Sequence, residues 1–121
     1  MLALLIAVAA GLGAIARYVL DQVVQHRTRA VLPYGTLLVN VTGSFLLGLV
    51  TGLAAHHGLP RTPTLVIGTG FAGGYTTLST WAWETVALAE GGDLPRAGAN
   101  VALSIVAGLA AAAAGLSLAL L

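Results

Sequence analysis

The sequence contains no cysteine, which excludes disulfides and thiolate metal sites. It contains no lysine either, and its five arginines are nearly balanced by four acids. Nucleic-acid binding needs a basic stripe, and none exists here. Charge of any kind is scarce: 7% of the 121 residues are charged, against about 25% in a soluble globular domain. So few charges cannot cover a water-facing surface. Hydrophobic residues supply 58% of the chain, and lipid is the solvent that fits this composition. The length leaves room for one domain, residues 1–121.

A membrane helix needs about 20 mostly apolar residues. Four segments qualify, at about 2–23, 34–55, 63–88 and 96–120. The first has no basic start, and Arg17, Tyr18 and Asp21 follow its apolar run, so it reads as a retained span and not a signal peptide. Pro33 stands where the second helix can begin, because its missing N–H costs nothing there. The expected fold is an all-α membrane protein with four transmembrane helices. Both termini then share one face with Arg61, while Arg27, Arg29 and Arg96 occupy the other and Arg17 lies near its edge. That arginine bias specifies orientation weakly, so either topology, or both, fits. Four packed helices fill their own interior with side chains. Passage of an ion would therefore need a second copy or a partner.

The third span does not read as one smooth helix. Residues 68–81 contain Gly68, Gly70, Gly73 and Gly74 together with Thr69, Thr76, Thr77, Ser79 and Thr80. Glycine weakens a helix by about 1 kcal/mol relative to alanine. The pair Gly73-Gly74 followed by two β-branched threonines predicts a break near residues 73–77. Broken backbone is tolerated at membrane depth only when it is buried in protein or lines a cavity. Carbonyls freed at a break suit a cation such as Na⁺, and the start of the next half-helix suits an anion. Close helix packing is the competing explanation for the glycines.

Thr36, Asn40, Ser44, Gly48 and Gly52 recur at four-residue spacing and share one face of the second span. An amide such as Asn40 in lipid must be hydrogen-bonded. It can bind a neighbouring helix or an anion. Arg17 either snorkels to the interface or draws anions toward an entrance. Glu84 lies near the interface or partners a cation. Asn100, Ser104, Gly108 and Ala112 form a second small-residue stripe, on the fourth span, where packing is the default and Ser104 can add a hydroxyl. His56 and His57 lack the spacing that puts two ligands on one helix face, and no arrangement of side chains suggests an enzyme.

Three stretches match a known family. Gly11-Leu12-Gly13-Ala14-Ile15-Ala16-Arg17-Tyr18 looks like its first-span glycines and arginine. Gly35-Thr36-Leu37 with Asn40 and Gly43-Ser44-Phe45 looks like its G-T-L-x-x-N-x-x-G-S-F motif. Gly70-Phe71-Ala72-Gly73-Gly74-Tyr75-Thr76-Thr77-Leu78-Ser79-Thr80-Trp81 looks like its G-F-x-G-G-x-T-T-F-S-T-F motif, the most specific of the three. On these stretches the chain resembles the CrcB/Fluc fluoride channels over essentially its whole length.

The resemblance implies an antiparallel, dual-topology dimer in the inner membrane of a prokaryote, with two fluoride pathways and passive export that lowers cytoplasmic fluoride. It implies a structural Na⁺ at the dimer centre, held by the backbone carbonyls of Gly73 and Thr76. The family's pore asparagine falls on Asn40, and its hydroxyl track on Ser79, Thr80 and Ser104. Arg17 would raise anion concentration at the entrance, and Glu84 would interact with pore hydroxyls. The chain departs from the family where two pore phenylalanines fall on Leu78 and Trp81. Leucine lacks the positive ring edge of phenylalanine, whereas Trp81 keeps an edge and adds an indole N–H. A homodimer with an altered pore and one subunit of a heterodimer with a partly degenerate pore both fit these departures. A proton-coupled multidrug exporter of similar size would need a carboxylate deep in the bundle, and the first span offers only Asp21 near its end.

Overall fold

The computed structural model describes all 121 residues, and every regular element in it is a helix. Helix α1 runs Leu2–Thr28 and α2 runs Tyr34–His57, directly after Pro33. The third helix, α3, covers residues 61–75. It consists of one turn at Arg61–Thr64, a wider π-helical stretch at Leu65–Ala72 and a short α-helical end at Gly73–Tyr75. Helix α4 runs Ser79–Glu90 and α5 runs Leu94–Leu118. Helices α1, α2 and α5 are each long and apolar enough to cross a membrane. Helices α3 and α4 are shorter, at about 22 Å and 18 Å for 1.5 Å per residue.

The helices are closed by local chemistry. Gly58 ends α2 at φ 66°, in the left-handed region that glycine enters without penalty. Arg29 ends α1 with φ 48°, its N–H bonded to the Gln25 carbonyl. The Gln25 side chain then donates to the Ala30 carbonyl at 3.0 Å and accepts from the Gly35 N–H at 3.4 Å, fixing the turn into α2. Asp93 caps α5: its carboxylate accepts from the Arg96 N–H and pairs with the Arg96 guanidinium at 2.7 Å.

Glycines decide how closely the helices approach. A Cβ on Gly74 would collide with the Ala10 carbonyl, and one on Gly13 with the Phe71 carbonyl. These contacts, with Gly70 against Ile6 and Ala9, run in step along both chains and make α1 and α3 parallel neighbours. In the same way Gly48 abuts the backbone of Ala112, Gly115 that of Phe45, and Gly52 meets Ala119, which makes α2 and α5 parallel neighbours. The short α1–α2 turn makes those two helices antiparallel, with Gly35 closed against Asp21. Both termini therefore lie at the end that holds Arg61.

Few side chains are buried by this packing. Among the large apolar side chains only Val39 is fully enclosed, while Leu4, Val8, Leu12, Ile15, Val106 and Leu109 are all more than half exposed. Apolar patches of that extent belong against lipid or another protein. With three spanning helices, the chain is a multi-pass membrane protein.

The predicted break is displaced. Gly73 and Gly74 are helical, and regular helix stops only after Tyr75, where Thr76 turns extended with φ −80° and ψ 158°. Gly74 serves the contact with α1, as the competing packing explanation holds, whereas a Cβ on Gly73 would meet no part of α1. Residues 76–78 are the non-helical ones.

Two predictions follow from the packing. Gly74→Val should destabilise the folded chain by about 1–3 kcal/mol, because the rigid Ala10 backbone cannot yield; reversible unfolding in detergent measures this. The hydrogen bond from Arg96 holds the Asp93 carboxyl below its ordinary range. A depressed carboxylate pKa stabilises above the unfolded value and ceases to do so as pH falls through the folded one. The α5 start should thus loosen on acidification below about pH 4, and Asp93→Asn should remove that pH dependence in amide exchange of residues 94–97.

Candidate ion site at the helix interruption

Thr77 is the centre of the site. Its N–H donates to Asn40 Oδ1 at 2.8 Å, and its carbonyl accepts from Asn40 Nδ2 at 2.9 Å. One amide on α2 thus replaces both partners that the Thr77 backbone would have had in a continuous helix. The Thr77 hydroxyl accepts from the Thr80 N–H at 3.1 Å, the bond by which an N-cap starts a helix. It also donates to Thr80 Oγ at 3.1 Å and lies 3.4 Å from Ser79 Oγ. Thr77 is 8% exposed, so these polar groups are bonded inside the protein as burial demands.

Two cavities lie against this segment. The larger, about 430 Å³, is lined by Asn40, Ser44, Thr76, Leu78, Trp81 and Ser104 among others, and Gly73 reaches its wall. It lies where the α2–α5 seam is looser: a Cβ on Gly108 would meet only Ser44 Oγ, at 3.7 Å. The smaller, about 180 Å³, is lined by Arg17, Tyr18, Asp21, Thr36, Val39, Thr77 and Thr80. Thr77 borders both.

The residues singled out from the sequence therefore fall into separate groups. Asn40, Gly73, Thr76, Leu78, Trp81 and Ser104 surround the larger cavity. Arg17 and Thr80 border the smaller one. Ser79 is exposed and lines neither. Glu84 receives a hydrogen bond from the buried Thr36 hydroxyl at 2.8 Å, and its second oxygen is buried without a partner. Ser104 Oγ is likewise enclosed and unpartnered. Arg17 neither snorkels freely nor stands in open solvent: its guanidinium donates to the Thr76 carbonyl at 3.3 Å.

The family model for CrcB-like protein, camphor resistance (CrcB), matches residues 4–116. The chain belongs to the CrcB family. It is 54% identical to the fluoride-specific ion channel FluC 1 of Leifsonia xyli over 74% of this chain and 66% of the relative. It is 48% identical to fluoride-specific ion channel FluC 2 of Mycobacterium bovis over 87% of this chain and 80% of the relative. It is 46% identical to FluC 1 of Streptomyces avermitilis over 93% of this chain and 90% of the relative.

Against the CrcB motif, two details of the site are new. The indole N–H of Trp81 does not enter the larger cavity as a free donor; it donates to the Asn100 carbonyl at 3.4 Å. The role of Thr77 escaped the sequence reading altogether. A threonine among four neighbouring hydroxyl residues carries no distinguishing signal until α2 brings Asn40 to its backbone.

Removal of the Asn40 amide leaves a buried N–H and a buried carbonyl unpaired. Asn40→Ala should cost about 1–3 kcal/mol or more, measured by detergent unfolding. Thr77→Val should loosen the start of α4 and raise amide exchange at Thr80.

Proposed function

We propose that the chain is a subunit of a fluoride-selective channel that lets fluoride leave the cytoplasm passively across the inner membrane of a prokaryote. The observation that carries this reading is the donor set gathered at the interruption, in a chain of this family. Fluoride is small and strongly hydrated, so a path must replace water with hydrogen-bond donors. Asn40 carries two N–H donors, of which one is spent on the Thr77 carbonyl and the other has no partner on this chain. The unpartnered Ser104 hydroxyl borders the same cavity. Ser79 and Thr80 extend the hydroxyl set along α4, Arg17 adds a positive field, and Glu84 accepts from the Thr36 hydroxyl. Leu78 and Trp81 form the apolar wall.

A second copy in antiparallel orientation completes the assembly in this reading. The larger cavity is unenclosed in one chain, and the third span consists of α3, the interruption and α4. A Na⁺ between the copies fits the backbone present. The Gly73 carbonyl loses its helical partner because the Thr77 N–H turns to Asn40, and the Thr76 carbonyl already accepts a positively charged donor. Carbonyls at the end of a half-helix bear partial negative charge. Two per chain require a second chain to complete a shell. The ion would neutralise these carbonyls and join the copies.

One observation favours a second reading, a heterodimer. Leu78 is 74% exposed on the cavity wall, where the family motif has phenylalanine. A partner subunit would then supply the ring edge.

Fluoride efflux from liposomes containing this chain alone tests the proposal. Fluoride should leave while chloride is retained, and Asn40→Ala should abolish efflux. Chloride passing as readily as fluoride would refute selectivity. Folded dimers without efflux, restored by a second family member, would establish the heterodimer.

A further inference from the structure

A closed ring of hydrogen bonds joins α4 to α5 behind the larger cavity. The Trp81 indole N–H donates to the Asn100 carbonyl at 3.4 Å. The Asn100 side chain donates through Nδ2 to Thr85 Oγ at 2.9 Å. Thr85 Oγ donates in turn to the Trp81 carbonyl at 2.8 Å. Asn100 is 4% exposed, and Trp81 is half-buried on the cavity wall.

The directions of these bonds leave little choice. A threonine hydroxyl has one proton, and here it goes to the Trp81 carbonyl. Thr85 Oγ must then accept, so only a donor at Asn100 completes the ring. The amide orientation of Asn100 is fixed by this requirement, and with it the distance between α4 and α5 at Trp81. An indole has one N–H, which is spent on α5. What Trp81 can present to the cavity is therefore carbon alone, ring face or C–H edge, and no N–H donor.

We propose that Asn100 and Thr85 are positioning residues for Trp81: they turn its N–H away from the ion path and fix its ring on the cavity wall. Trp81 then acts through its ring and does not act as a hydrogen-bond donor. This inference rests on the channel reading for its effect on flux, but the placement of Trp81 can be tested without flux.

The chain has two tryptophans, Trp81 and Trp83. Trp83 is 72% exposed and lies outside the larger cavity, so Trp83→Phe isolates the Trp81 signal. In that background, Asn100→Leu and Thr85→Val should each move Trp81 emission and lower its anisotropy, while Thr85→Ser should keep both at the parent values. In liposomes, Asn100→Leu and Thr85→Val should reduce fluoride efflux by about tenfold, the effect of losing one well-formed ring contact. Trp81→Phe, which keeps the edge and lacks the N–H, should retain most of the efflux. Unchanged Trp81 emission and anisotropy in Thr85→Val would overturn the positioning role. Loss of efflux in Trp81→Phe equal to that in Trp81→Leu would overturn the claim that Trp81 acts through its ring and not its N–H. Should Asn100→Leu not fold, the Thr85 pair decides the question. Should the parent chain carry no fluoride, the fluorescence comparison still decides the placement of Trp81, and only the channel reading fails.

Discussion

The exchange of two hydrogen bonds between the Asn40 amide and the Thr77 backbone is the constraint on which the site depends. An interrupted helix in a membrane protein exposes N–H and C=O groups that hydrocarbon cannot satisfy. The Asn40 amide offers a donor and an acceptor on separate atoms to the same residue. With Thr77 held, the chain can leave helix α3 in an extended conformation at Thr76 and restart as α4 under the Thr77 hydroxyl. The same exchange withdraws the Thr77 N–H from the Gly73 carbonyl and so frees it at the end of α3.

Packing then determines what surrounds the interruption. The glycines of α1 and α3 bring those helices to backbone contact, as do those of α2 and α5. Where small residues meet backbone the seams are closed. Where Asn40, Ser44, Ser104 and Gly108 face one another, the seam opens into the larger cavity. Thr77 separates this cavity from the smaller one beside Arg17, so positive charge and free donors lie on opposite sides of one residue. The ring through Asn100, Thr85 and Trp81 ties α4 to α5 beside the larger cavity.

Much of this was legible in the chain itself. Scarce charge and long apolar runs point to lipid, and helices α1, α2 and α5 are long and apolar enough to cross a membrane. Asn40 stood out because an amide inside an apolar run demands a partner. The motif around Gly70–Trp81 led to the family that the relatives bear out. The location of the interruption was read less well. Gly73-Gly74 has the lowest local helix preference, but the pair stays helical, with Gly74 in close contact with Ala10. Intrinsic propensity, at about 1 kcal/mol per glycine, yields to tertiary packing.

The sequence by itself determined the solvent and the residue types available to an ion, because these depend on composition and on spacing along one chain. Only the tertiary structure decided which atoms of those residues remain free. Asn40 has spent one donor on Thr77, Trp81 has spent its N–H on Asn100, and Arg17 rests on the Thr76 carbonyl. Hydrogen-bond capacity is consumed by neighbours distant in sequence, so it cannot be counted until the helices are packed.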